Sequence, residues 1–136
     1  MAEVKISNPD AIAAPRGAYS HVAEVEGARK IVAIAGQVAV GPDGKVVGPY
    51  DVEKQAAEVY RNIGNALKAA GGGWRNVIQT MTFLVRKEDI AKLAAYRAKE
   101  FPKLYSGGNY PPNTLLVVSA LASDEIVLEV QAVAAI

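Results

Sequence analysis

An α+β fold, with one mixed sheet and two helices packed on one of its faces, is the architecture this 136-residue sequence predicts. Three observations predict it. Residues 52–70 and 90–104 repeat their apolar side chains at helical spacing. Residues 30–40, 77–85, 113–119 and 126–134 are apolar, β-branched runs suited to buried strands. The elements arrive as strands, helix, strand, helix and two strands, with no internal repeat, so residues 1–136 read as a single domain.

Taken in order, residues 1–14 are an irregular lead-in where Val4 and Ile6 alternate like a short strand. Residues 15–19 read as a turn, 19–25 as an edge strand, and 26–29 as a hairpin turn centred on Gly27. The run 30–40 is apolar on both faces: Val32, Ile34, Val38 and Val40 on one, Ile31, Ala33, Ala35 and Ala39 on the other. Both faces then need cover. Gly36 interrupts the run, which suggests a bulge or the close approach of a ligand. Gly41, Pro42, Asp43 and Gly44 form a strong turn.

Asp51 is a plausible N-cap, with Glu53 in the first turn favouring the helix dipole. Val52, Ala56, Val59, Ile63, Ala66, Leu67 and Ala70 make the apolar stripe of that helix, and Gly71, Gly72 and Gly73 end it. The triple glycine is not a phosphate loop, because it follows a helix and lacks the Lys-Ser/Thr ending. In 77–85, Ile78, Thr80, Thr82 and Leu84 face one way; Val77, Gln79, Met81, Phe83 and Val85 face the other. Ile90, Leu93, Ala94, Arg97, Phe101 and Leu104 mark the second helix, with Pro102 near its end.

After a loop at 106–109, Pro111 and Pro112 hold the chain extended and offer no ladder donors. The next strand therefore starts abruptly, with Asn113 and Thr114 at the rim of the sheet, where polar side chains meet ligands. A turn at 122–124 leads to the last strand. Ile126, Leu128, Val130 and Ala132 share one face of it, and Val127, Glu129, Gln131 and Val133 the other. Glu129 and Gln131 interrupt an apolar strand, so either they find partners across an interface or cleft, or that face is partly wet. Two helices cover only one face of such a sheet, so a closed homo-oligomer is expected to cover the second; loops and termini are the alternative.

Several function classes are excluded or disfavoured. There is no cysteine, so neither disulfide nor thiolate chemistry is available. His21 is the only histidine and has no acidic cluster near it in sequence, so no metal site and no serine triad is expected, and His21 reads as a strand-surface residue. A formal charge of +1 gives no field to gather nucleic acid, and no basic stripe is interleaved with the tyrosines. The N-terminus lacks the apolar core of a signal peptide and no run reaches the ~20 residues of a membrane helix, so the expected address is the cytoplasm, with no membrane partner.

The chain resembles the Rid family, also called the YjgF family, whose best-known members are reactive-intermediate deaminases acting on imines and enamines. The residues that carry the resemblance span essentially the whole length. They are Gly17, Ala18 and Tyr19, where the family often has Gly-Pro-Tyr, and Ala35, Gly36, Gln37 and Val38, close to Ser-Gly-Gln-Ile. The helix ending in Ala-Ala-Gly at 69–71, the strand 80–85, the pair Pro111 and Pro112, and the terminal stretch 129–134 complete it.

The resemblance implies a single mixed six-stranded sheet backed by two helices, chorismate-mutase-like. It also implies a homotrimer with three small-molecule clefts between subunits, and no cofactor. It places Tyr19, Ala35, Gly36, Gln37, Asn113, Thr114, Leu115 and Gln131 at the cleft as substrate-binding residues. The chain departs from the family pattern there. Asn113 stands where deaminating members carry the arginine that grips a substrate carboxylate, Leu115 stands for a cysteine, and Ala35 for a serine. Gln131 stands for the glutamate that positions water, with Glu129 earlier on the same face.

An amide offers hydrogen bonds but no charge, and glutamine takes no proton near neutral pH. The expectation is therefore a hydrolase or deaminase-type activity on a small imine, enamine or related metabolite, with 2-iminoacid deamination weak or absent. A non-catalytic, regulatory ligand-binding trimer is the alternative, and an endoribonuclease a lesser one. The catalytic residues stay unassigned; Arg16 and Glu129 are the candidates to replace the missing groups.

Overall fold

The computed structural model describes residues 2–136; Met1, at the head of the expected lead-in, lies outside the described residues. Six strands and two long helices follow one another: β1 (Glu3–Ser7), β2 (Val22–Glu26), β3 (Ile31–Gln37), α1 (Val52–Ala69), β4 (Val77–Leu84), α2 (Asp89–Leu104), β5 (Asn113–Val117) and β6 (Leu128–Ala135). Short 3-10 turns precede β4 and follow α2.

The strands form two sheets instead of the single six-stranded one expected. A four-stranded mixed sheet runs in the order β3-β6-β4-β5, with β4 and β5 parallel and the other pairs antiparallel. β1 and β2 pair only with each other, antiparallel, from Glu3 opposite Glu26 to Ser7 opposite Val22. The expected hairpin at 26–29 does turn on Gly27, whose φ is +68°. No ladder follows it, because the backbone N–H groups of Arg29 and Lys30 both donate to Ile136 O, so the chain commits to β6 as soon as the turn ends. Just before β2 and β5, the two sheets are joined by an isolated parallel bridge, Ser20 beside Pro112. Pro111 and Pro112 have no N–H to return, so a ladder cannot propagate from that bridge.

Both helices lie on one face, as periodicity predicts. Asp51 Oδ1 caps α1 by accepting from the N–H groups of Glu53 and Lys54 at 3.1 and 3.0 Å. Gly71, at φ +87°, ends that helix in a conformation that L side chains resist. Val59, Ile63 and Leu67 of α1 and Leu93 and Phe101 of α2 bury against Leu84 of β4 and Leu128, Val130, Ala132 and Ala134 of β6. Each fully buried Leu, Ile or Val contributes about 1.5–3 kcal/mol, so this layer supplies most of the driving force for the fold.

The face assignment of β3 changes partway. Ala33 and Ala35 point away from the helices, as expected, but Ala39 is fully buried. The β3–β6 register shifts between Ile34 and Gln37, and the extra residue of this bulge reverses the alternation after Gly36. A similar irregularity between Val77 and Gln79 buries Val77, where simple alternation would bury Ile78.

Beside the core, Tyr60, Trp74, Phe101, Tyr105 and Tyr110 pack mostly edge to face, with ring centroids 5.2–6.2 Å apart. Burial, and next the neighbouring Tyr60, push the Tyr105 phenol well above the ordinary tyrosine range, against the opposing pull of Arg97. The folded value lies above the unfolded one. The neutral phenol therefore stabilises the fold in full below about pH 10, and that stabilisation is lost as pH climbs beyond it. An ultraviolet titration should show Tyr105 un-ionised until the chain unfolds, and Tyr105→Phe should raise the pH of alkaline unfolding; an unchanged midpoint would remove this account.

Candidate functional site

β-Strand alternation sorts the expected site residues onto two faces of the four-stranded sheet. On the face away from the helices, Met81 of β4 lies beside Gln131 of β6 and Thr114 of β5. Phe83 of β4 lies beside Glu129 and Leu116 in the next row. Ala33 and Ala35 continue this face on β3. It is apolar with two polar interruptions, and Ile31 and Leu116 are 62% and 39% exposed upon it. Among the described residues no helix covers it.

Gly36 owes its identity to Glu129. A Cβ built on Gly36 would lie 2.0 Å from Glu129 Oε1 and 2.9 Å from its Cγ, so the half-buried glutamate side chain occupies the space that any other residue would fill. The close approach expected at Gly36 is thus made by the protein's own carboxylate. Among the described residues, that carboxylate has no ion pair and accepts no side-chain hydrogen bond. Gly36→Ala is expected to cost about 1–3 kcal/mol, because the glutamate side chain must swing off the strand. Most of that cost should vanish in combination with Glu129→Ala. Denaturant unfolding of the four chains measures it, and additive losses would refute the steric link.

The polar groups of the neighbouring row hold weakly. Gln131 Nε2 reaches Met81 Sδ at 3.5 Å, a soft acceptor that leaves the amide oxygen free, and Gln37 Nε2 donates to the Ala35 carbonyl at 3.1 Å. Tyr19 is half-buried and meets His21 edge to face at 5.9 Å; the bridge of Ser20 to Pro112 brings this segment to the start of β5. His21 Nε2 lies 2.7 Å from the Ala13 carbonyl. Arg16 is exposed.

Asn113 and Leu115 point the other way, toward the helices. Leu115 packs against the hydrophobic core. Asn113 Oδ1 accepts from the hydroxyls of Thr80 and Thr82, at 3.0 and 2.7 Å. Thr82 Oγ1 in turn accepts from Arg97 Nη2 at 2.6 Å, while Arg97 Nε donates to the Tyr60 hydroxyl at 2.9 Å. The guanidinium is buried, rests 5.4 Å from the centroid of the Phe101 ring, and has no carboxylate partner among the described residues. Sequence reasoning placed Arg97 on a helical stripe without seeing this chain of bonds. The available signal was three polar residues, Thr80, Thr82 and Arg97, on surfaces otherwise turned to the core, since buried polar groups must find each other.

No group of three or more His, Asp or Glu able to hold a metal occurs among the described residues. No described helix is long and apolar enough to cross a membrane. The single chain has a cleft of about 320 Å³ at Pro49, Tyr50, Asp51 and Arg86, away from all the residues above.

The family model described as Endoribonuclease L-PSP matches residues 9–136. Among curated relatives, the chain is 32% identical over 122 residues to RutC family protein slr0709 of Synechocystis, covering 89% of this chain and 88% of that one. It is 30% identical over 118 residues to the 2-iminobutanoate/2-iminopropanoate deaminase of Rattus norvegicus, covering 87% and 80%. Among solved structures, a protein of unknown function of the conserved Rid family, YyfB from Yersinia pestis, superposes with a TM-score of 0.86 at 30% identity, over 98% of both chains.

Proposed function

The chain belongs to the Rid family, to which the Endoribonuclease L-PSP model corresponds, and on that premise we propose that it hydrolyses small imines or enamines in a cleft completed by a neighbouring copy of itself. Three copies close a ring, each covering the open sheet face of the next, so that Glu129, Gln131, Thr114 and Gly36 of one copy come to line a shared crevice whose rim is Tyr19 and the Asn113 of the neighbouring copy, since Asn113 turns to the helix side of its own sheet. The uncovered apolar face, with Ala33, Ala35, Ile31 and Leu116 turned to solvent in the single chain, supports this reading.

The reaction is addition of water to C=N, followed by loss of ammonia to leave a carbonyl. Glu129 is the one ionisable side chain of β6 on this face, and its carboxylate is free of partners among the described residues. It takes a proton from the attacking water and returns it to the departing nitrogen. Gln131 orients by hydrogen bonding alone. Position 113 carries an amide whose oxygen is already used, so a substrate carboxylate meets no cation there. That observation carries the specificity: family-typical 2-iminoacids are turned over poorly, and substrates without a carboxylate at that place are preferred.

Ammonia release tests it, with 2-iminobutanoate generated in situ and with neutral imines and enamines. Faster release from a neutral substrate than from the iminoacid is expected. Release no faster than buffer from every one would end the enzymatic reading and favour the second, a ligand-binding trimer without turnover. The two amides at 113 and 131, neither able to move a proton, favour that second reading. Thermal stabilisation by a ligand that is not consumed would support it. The endoribonuclease description is not carried to this chain, because a formal charge of +1 and a carboxylate in the proposed crevice oppose a phosphate backbone.

A further inference from the structure

We infer that Arg97, acting through Thr82, locks the Asn113 amide with both of its N–H groups facing outward, making position 113 a neutral donor selective for a carbonyl or amide oxygen. This inference rests on the proposed crevice and names the chemistry that crevice accepts.

The count of protons in this network fixes the amide's orientation. A guanidinium can only donate, so the 2.6 Å contact from Arg97 Nη2 makes Thr82 Oγ1 an acceptor. Thr82 is fully buried, and its own hydroxyl proton has one acceptor within reach, Asn113 Oδ1 at 2.7 Å. Were the amide turned over, its NH2 would meet the threonine oxygens and the Thr82 proton would be stranded in the core, which is costly. Thr80, whose hydroxyl lies 3.0 Å from Asn113 Oδ1 and 3.4 Å from the Pro112 carbonyl, can give its one proton to either oxygen and fits both orientations, so Thr82 decides between them. The oxygen is thus held from the inside by Thr82. Asn113 Nδ2 has no acceptor among the described residues, yet no buried side-chain nitrogen or oxygen is left without a partner. Nδ2 is therefore not fully buried and keeps some contact with solvent.

The chain Arg97 to Thr82 to Asn113 also polarises the amide, since each donor in a series strengthens the next. Burying a guanidinium against two hydroxyls and a ring, with no counter-ion, is a poor way to stabilise a core. It is a good way to hold one amide in one orientation. Arg97 is accordingly a positioning residue: it touches no ligand and acts through Thr82.

The test follows the Asn113 side-chain amide by two-dimensional proton–nitrogen NMR while pyruvamide, a small neutral acceptor, is titrated at millimolar concentration. The Asn113 Nδ2 resonances are expected to shift in the wild type. Thr82→Val should weaken pyruvamide binding by about fivefold or more, and Thr82→Ser, which keeps the hydroxyl, should restore it to within about twofold. Asn113→Asp keeps both accepted bonds and gains attraction to Arg97. It should melt no lower than the wild type, yet lose about tenfold for pyruvamide and gain for acetamidine, a cationic donor. A merely structural network would not invert preference in this way.

An Asn113 amide that ignores pyruvamide overturns the inference, as does an Asn113→Asp chain that binds both probes like the wild type. If Thr82→Val fails to fold, Asn113→Asp alone decides. Ammonia release is not part of this readout. A protein that binds pyruvamide through Asn113 but releases no ammonia refutes the proposed hydrolysis and leaves this inference standing; ammonia release with a silent amide does the reverse.

Discussion

Replacing Asn113 by arginine is expected to raise kcat/KM on 2-iminobutanoate by about 10- to 150-fold, while lowering the stability of the fold. The gain follows from one charge-assisted contact with a carboxylate, worth about 1.5–3 kcal/mol, for which a planar fork is well shaped. The loss follows from Arg97. Its Nη2 and Asn113 Oδ1 share the Thr82 hydroxyl, at 2.6 and 2.7 Å, so the two residues meet within two hydrogen bonds. Two cations about 5 Å apart repel by about 3 kcal/mol at an effective dielectric of ~20. That is an upper limit, because the longer side chain carries its charge outward past the threonines. Activity and stability therefore move in opposite directions, which steady-state kinetics and denaturant unfolding read separately. Adding Arg97→Met should return part of the lost stability and leave the iminoacid gain in place. If the single variant gains nothing on iminoacids, the crevice differs from that of the deaminating relatives by more than its cation.

The second large effect is on the rate itself. Glu129→Gln is expected to lower turnover of the best imine or enamine by about 10²–10⁴-fold, the ordinary contribution of a general acid–base group. Glu129 forms no ion pair or side-chain hydrogen bond among the described residues, so the substitution removes a proton acceptor without orphaning a partner. Melting temperature should hardly change, and KM should change far less than kcat. Unaltered ammonia release would exclude Glu129 from the chemistry. A fall in kcat/KM on Gln131→Leu, with KM raised and kcat kept, would identify Gln131 as a binding group only.

How much of this was legible beforehand differs by element. The two helices, the strands of the larger sheet and the Asp51 cap follow from local signals, spacing and capping chemistry, which depend little on what lies far away in the chain. The bulge at Gly36 was legible, but its consequence was not: one added residue turns Ala39 from the open face into the core. The separate β1–β2 sheet was hidden because residues 22–26 alternate in the same way whichever strand they pair with, and only the capture of Arg29 and Lys30 by Ile136 decides it. At the candidate site, the rim position of Asn113 could be read from the two prolines. Its direction could not, since neighbouring strand residues point oppositely and nothing in the sequence marks which of Asn113 and Thr114 turns inward. The two threonines that bind it and the arginine behind them lie 31, 33 and 16 residues away in sequence, beyond the reach of any local pattern.

Sedimentation equilibrium at micromolar concentration tests the central claim most directly, because a crevice shared between copies needs copies to share it. A mass three times the 14.3 kDa of one chain is predicted. A species of 14.3 kDa at every concentration would contradict it, leaving the open sheet face bare and Glu129, Gln131 and Thr114 on a surface that encloses nothing.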